Sequence, residues 1–298
     1  MSQQQALDRE STRGAKSGQP VVTRLSETMG AEIEGVDLAR PLTDDAFAQI
    51  ARAFRDHKLI VFRGQTLTPA EIQAFAERFG PIEGHTILRA DGQGVLEAVH
   101  YVSNLDASGK PSQKPHINAN YYWHSDKAHY PVPALLSMLY SIELPPNGGE
   151  TEFANTEMAY EDLPPAMKER IDGLQVENDF TYAMDNIGKT LTDAERKAVP
   201  PVVHPLVRTH PDTGRKYVFV GMYSKRIIGM PDAEGQALVK ELTELATQPR
   251  YTFRHQWQVG DLVVWDNRGL VHRAVMNYEM TQHRRVLMRC VVKGTAPA

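Results

Sequence analysis

The feature that most constrains the fold is a series of short apolar runs broken by turn residues, with no regular alternation of strand and helix. LIVF (Leu59–Phe62), ALLSMLYSIEL (134–144), LVVWD (Leu262–Asp266) and RVLMRCVV (285–292) read as strands. GAEIEGVDL (30–38) alternates small or apolar with acidic residues, and GETEFAN (149–155) follows the turn PPNGG. PLVRTH and KYVFV flank PDTG as a hairpin. Helices are fewer. Thr43 is an N-cap for DDAFAQIARAFRDH, where Ala46, Phe47, Ile50, Ala53 and Phe54 recur at helical spacing. A second helix has Thr68 as cap, Pro69 at its first position, Glu71 as the capping-box acid and Gly80 as its stop. MKERIDGL and residues 232–247 read as further helices. This pattern predicts a mostly β chain with flanking helices, an antiparallel sandwich or jelly roll, and not a doubly wound sheet.

At 298 residues and 41% hydrophobic content the chain can bury a core. Residues 1–20 are expected to be a disordered tail and 21–298 a single domain, with a lid loop near 102–120 and a polar insertion near 177–201. The net charge is −4 and the 33 Lys and Arg residues are dispersed, which argues against nucleic acid or a membrane surface and for a small molecule as partner. The polar N-terminus lacks an apolar leader core, and no later run approaches the roughly 18 apolar residues of a membrane span. A single cysteine, Cys290, excludes an internal disulfide and fits the cytoplasm; on the last strand it reads as a small core residue. A homo-oligomer, dimer or tetramer, is the expected assembly.

The chemistry is concentrated in a few positions. In an extended segment His124 and Asp126 of WHSD share one face and can offer a nitrogen and an oxygen to one ion. His272 in WDNRGLVHRAV, after a strongly apolar strand, is the best-placed third ligand. Two imidazoles and one carboxylate form the facial set expected of non-haem Fe(II) oxygenases, and zinc is the rival metal. Thr151 lies 27 residues after His124, and Arg285 lies 13 after His272. A guanidinium with a threonine hydroxyl makes an anchor for a dicarboxylate. Arg289, four residues on, shares a strand face with Arg285 and can hold a second anion.

Together the segments GAEIEGVDL, LIVFRGQ, RFG, WHSD, GGETEFAN, WDNRGLVHRAV and HRRVLMR resemble the Fe(II)- and 2-oxoglutarate-dependent taurine/2,4-dichlorophenoxyacetate (TauD/TfdA) dioxygenases over nearly the whole chain after the tail. The resemblance implies a double-stranded β-helix, a cupin-like jelly roll. It implies Fe(II) bound by His124, Asp126 and His272, and 2-oxoglutarate held by Thr151 and Arg285, with Arg284 as the alternative to Arg285. Arg289, His85 and Asn120 correspond to substrate-contacting positions; His85 and Asn120 read equally as loop hydrogen-bonders. Tyr121, Tyr122 and Tyr223 are candidates to line the pocket, and Tyr122 is taken as a substrate residue. The implied reaction uses O2 and 2-oxoglutarate to hydroxylate an unactivated C–H bond; a leaving group on that carbon lets the product collapse to a carbonyl compound. Arg289 predicts an anionic substrate, and the nearby tyrosines favour an aryloxyalkanoate or similar carboxylate over an alkyl sulfonate or sulfate.

Two readings from another class stand beside this one: a zinc hydrolase using the same three ligands, and a non-catalytic metal-binding jelly roll. A hydrolase has no use for a dicarboxylate anchor. Trp123 and Trp265 read as packing residues. His116, His129, His204, His210, His255 and His283 read as surface or turn residues, with His129 the nearest to the motif.

Overall fold

The computed structural model describes residues 18–88, 94–113 and 118–296, with side chains for all of these except 85–88 and 94–96. The expected tail therefore lies almost wholly outside the described residues, as do His116 and the side chain of His85.

A seven-stranded sheet forms the larger wall, in the spatial order Val21–Arg24, Ala31–Glu34, Leu59–Phe62, Leu262–Asp266, Ala134–Glu143, Val286–Lys293 and Val99–Ser103. Its pairings are antiparallel except the one between Ala31–Glu34 and Leu59–Phe62. Facing it is a smaller antiparallel sheet, Thr252–His255, Thr151–Asn155 and Leu270–Ala274. Side-chain parity explains why the central strands are apolar throughout. Ile60, Phe62, Leu262, Val264, Met288 and Cys290 point outward, under the helices Asp44–His57 and Pro69–Glu77. Leu59, Val61, Val263 and Trp265 point inward and meet Phe153 and Leu270 of the smaller sheet. The result is a jelly roll with helices on one flank.

Local chemistry fixes the helix ends. Thr43 Oγ1 accepts from the Ala46 N–H, and Thr68 and Glu71 form a reciprocal capping box. Between the strands Thr151–Asn155 and Thr252–His255 the chain builds a second apolar cluster, with Ile171, Val176, Tyr217, Phe219, Tyr223 and Leu238 buried in it. The weakly patterned stretch near 177–201 contains two short helices, Phe180–Asn186 and Asp193–Ala198, the latter opened by a Thr192–Glu195 capping box. Of the expected loop 102–120, residues 102 and 103 end a strand, and Ala119–Tyr121 is a single 3-10 turn. No helix among the described residues is long and apolar enough to cross a membrane.

One ion pair joins the two walls. Lys58, in the left-handed conformation (φ 61°) that ends the first helix, buries its ammonium 2.8 Å from Glu157 Oε1. Lys58 is 4% exposed and Glu157 0%. Removing one member strands the other charge, a loss of about 3–5 kcal/mol. Glu157→Ala is therefore expected to lose stability of that order in urea denaturation, and Lys58→Met combined with Glu157→Leu markedly less. Equal losses in the two variants would show that the charge pair is not what matters there.

Candidate metal centre and its pocket

The segment carrying WHSD is not a regular strand. His124 makes a single bridge, and Asp126 begins a turn that Lys127 continues at φ 58°. That bridge is to His272: the His124 N–H donates to the His272 carbonyl at 3.1 Å and the His272 N–H to the His124 carbonyl at 2.8 Å. Reciprocal backbone bonds set the imidazoles side by side, with ring centroids 4.2 Å apart. Asp126 faces both rings, Oδ1 lying 3.7 Å from His124 Nε2 and Oδ2 3.8 Å from His272 Nε2. One ligand atom from each residue falls within 4.8 Å of the others, and all three side chains are buried.

The turn Asp266–Gly269 holds this arrangement from behind. Asn267 Oδ1 accepts from the Asp126 N–H (3.2 Å) and from Trp265 Nε1 (3.1 Å). Its Nδ2 donates to Ser137 Oγ (3.0 Å), and Ser137 donates to Asp126 Oδ2 (2.5 Å). Ser125, facing away from the centre, donates to the Asn267 carbonyl at 2.8 Å. On the other side Arg289 Nη2 pairs with Asp126 Oδ1 at 2.5 Å.

These surroundings set the protonation states. Burial lowers the pKa of both histidines, His272 the more so, despite the opposing charge of Asp126. Burial alone would raise Asp126, but Arg289, His272 and His124, with the Ser137 hydrogen bond, outweigh it and hold the carboxyl far below its usual range. His124 Nδ1–H donates to the Tyr122 carbonyl at 2.7 Å, leaving the Nε2 lone pair directed at the centre. His272 keeps Nδ1 buried without a partner among the described residues. Two neutral imidazoles and a carboxylate are the form in which these groups bind a divalent ion, so the donor set fits a facial Fe(II).

Beside the triad is a cavity of about 40 Å³ lined by Val102, Asn120, Leu139, Thr151, Trp265, Ala274, Arg285 and Arg289. An adjoining cavity of the same size shares Asn120 and Arg285 and adds Tyr121 and Tyr278. Arg285 is buried, and its Nε donates to the Gly149 carbonyl at 2.9 Å. The double glycine permits this approach. Both residues have positive φ; a Cβ on Gly149 would lie 3.3 Å from the Arg285 side chain, and one on Gly148 2.6 Å from the Asn277 carbonyl oxygen. Thr151 Oγ1 accepts from Trp257 Nε1 at 3.1 Å, which leaves its own proton to donate.

Arg284 points elsewhere. It pairs with Glu143 at 2.8 Å and reaches the Gly109 carbonyl. Tyr122 is also outside the pocket: its side chain is exposed and lines a separate groove with Tyr182, Met222 and Lys240. Tyr223 packs edge-on to His124 with centroids 6.5 Å apart. Trp265, read as packing, also lines the pocket, 4.7 Å from His272. The surface reading of the remaining histidines is corrected for His129, His204, His210 and His255, which are buried. His204 bonds the Tyr130 carbonyl, His210 Asp266 and His255 Asp261, while His129 packs on Tyr223 and burial pushes it down to about 3. Ser137, Asn267 and Trp257 escaped notice in the sequence. The one signal for Ser137 is a small polar residue at an inward position between Leu135 and Leu139 of a mostly apolar strand.

The family described as "Taurine catabolism dioxygenase TauD, TfdA family" matches residues 22–291. The chain is 37% identical to the alpha-ketoglutarate-dependent 2,4-dichlorophenoxyacetate dioxygenase of Cupriavidus pinatubonensis, over 89% of this chain and 95% of that protein. It is 36% identical to the alkylsulfatase of Acinetobacter baylyi, over 91% and 84%. The crystal structure of AAD-2 in complex with Mn(II) and N-oxalylglycine superposes with a TM-score of 0.84 at 34% identity, covering 94% of this chain and 98% of that one. With the family matched from the first sheet strand to the last, the chain belongs to the TauD/TfdA family of 2-oxoglutarate-dependent dioxygenases.

Proposed function

We propose that this dioxygenase oxidises a small anionic organic substrate, an aryloxyalkanoate or similar carboxylate, at the centre formed by His124, Asp126 and His272. The observation that carries the reading is the presence of two arginines, Arg285 and Arg289, in one small cavity beside the triad. One serves 2-oxoglutarate and the other the substrate. Fe(II) on these ligands, with 2-oxoglutarate and O2, supplies the oxidising chemistry as 2-oxoglutarate loses CO2 and becomes succinate.

The chain's own residues divide the remaining work. Arg285, fixed by the Gly149 carbonyl, and Thr151, fixed by Trp257, hold the far carboxylate of 2-oxoglutarate. Arg289 is only partly exposed and is paired with Asp126. With Asp126 engaged as a metal ligand, Arg289 would be free to hold the substrate's anionic group, and Asn120 lines the same cavity. Val102, Leu139 and Trp265 give the apolar lining that an aryl group would contact. Hydroxylation at a carbon bearing an aryloxy group gives a hemiacetal, which collapses to a carbonyl compound and a phenol. Alkyl sulfates are the second reading, favoured by the similarity to the alkylsulfatase. Alkyl sulfonates, which share an anionic head, follow. We also place the chain in the cytoplasm, on the evidence of its single buried cysteine, and light scattering will test the expected homo-oligomer.

Substrate-stimulated succinate release across aryloxyacids, alkyl sulfates and alkyl sulfonates tests the proposal; no stimulation by any of them would overturn it. Asp126→Ala is expected to abolish succinate formation, and turnover equal to the parent's would remove the residue from the centre. Arg285→Ala should raise the KM for 2-oxoglutarate by about tenfold or more, the value of a charge-assisted bond, whereas Arg284→Ala should leave it within about twofold. Arg289→Ala should raise the KM for the anionic substrate by about tenfold or more while 2-oxoglutarate affinity holds. A reversed pattern between Arg285 and Arg289 would exchange their roles.

A further inference from the structure

On the far side of the Asn267 turn is a larger cavity, of about 220 Å³, lined by Arg208, Thr209, Asn267, Arg268 and Gly294, among others. None of the three metal ligands and neither pocket arginine contributes to it. Arg268 is fully engaged there: Nε and Nη2 bond the two oxygens of Asp266 at 2.9 and 2.8 Å, and Nη2 reaches Asp212 at 2.7 Å.

Arg208 is in a different position. It is 9% exposed, on the strand Val207–Thr209. Its guanidinium lies 4.6 Å from the ring centre of Phe219 and 5.6 Å from that of Tyr217. Among the described residues no carboxylate or carbonyl accepts a hydrogen bond from it. The residue is buried, but its guanidinium nitrogens are not enclosed: Arg208 lines the cavity, with the charge of Arg268 nearby. Burial holds its pKa below the ordinary value, opposed by Tyr217 and reinforced by the charge of Arg268. The two rings flank the guanidinium, and the cavity that Arg208 lines is also formed by Thr209, Asn267 and Gly294.

We propose that this cavity is a binding site for a small oxyanion, a carboxylate or a phosphate-type ion, recognised by the fork of Arg208 with Arg268 as its cationic neighbour. Two adjacent oxygens on one centre match that fork, and a single negative charge answers the unpaired guanidinium. The space is ample for phosphate or a short carboxylate. The site is separate from the catalytic pocket, but Asn267, which lines it, accepts from the Asp126 N–H, so a bound ion rests on the same turn that buttresses Asp126.

The test is thermal unfolding of the full chain at constant ionic strength, titrated with inorganic phosphate and, separately, with acetate. A saturable rise in Tm is expected for at least one of the two, through preferential binding to the folded state. The responding ion identifies the class. Arg208→Gln should weaken the apparent affinity by about tenfold or more, the loss of one charge-assisted interaction, while Arg285→Gln leaves it unchanged. If Arg208→Gln does not fold, Arg208→Lys carries the comparison, since it keeps the charge and loses the fork: weaker binding supports the site and equal binding overturns it. No response in the parent, an equal response in Arg208→Gln, or a response abolished by Arg285→Gln also overturns it, the last by assigning the ion to the catalytic pocket.

Discussion

The pair of backbone hydrogen bonds between His124 and His272 is the interaction on which the rest of the site depends. The residues are 148 positions apart in sequence, and the bridge brings their rings to 4.2 Å. Reciprocal main-chain bonds keep the two backbones from separating, and the bond from His124 Nδ1–H to the Tyr122 carbonyl orients its ring. Asp126 then needs to be placed only two residues downstream, and the rigid Asn267 turn does that. The smaller sheet extends this logic: Thr151 lies opposite Ala274 in the register, so the Thr151 end of the pocket is indexed to the same strand that carries His272.

A buried carboxylate between two imidazoles is an unstable arrangement unless its charge is answered. Arg289 and the Ser137 hydroxyl answer it. The cost of assembling these groups is therefore met by the protein itself before any ion binds, and the binding of a cation becomes an exchange between two positive charges at Asp126. The inward face of Val286–Lys293 and its preceding residue supplies both arginines, while the outward face of the same strand packs in the core beneath the helices. One strand thus lines the pocket and packs the core through alternate residues.

Much of this was legible in the sequence where the relevant physics is local. Thr43, Thr68 and Glu71 announce helix starts because a cap is satisfied within three residues. LIVF and LVVWD announce buried strands because both faces are covered. The His124–Asp126 and Arg285–Arg289 pairs were legible because i, i+2 and i, i+4 positions share a face in locally extended chain, and His272 because it follows a strongly apolar strand and the resemblance pointed to it. Contacts set by tertiary placement were not. Asn267 and Ser137 are 130 residues apart, and the acceptors that bury His204 and His210 lie 74 and 56 residues away, so neither composition nor spacing signals them. Tyr122 shows the limit within the motif itself: its carbonyl orients His124 while its ring turns to another groove, a distinction that depends on the backbone after a 3-10 turn.

The strand parity at Arg289 has a consequence for the chain's one cysteine. Cys290 is adjacent to a pocket residue in sequence, yet its side chain is on the outward face of the sheet, fully buried in the helix-covered core. Burial pushes its thiol up to about 11, so almost none is thiolate at neutral pH. The chain's only thiol is thus separated from the pocket by the thickness of one sheet and kept protonated. Adjacent residues of one strand therefore meet opposite surroundings, a charged pocket at Arg289 and an apolar core at Cys290.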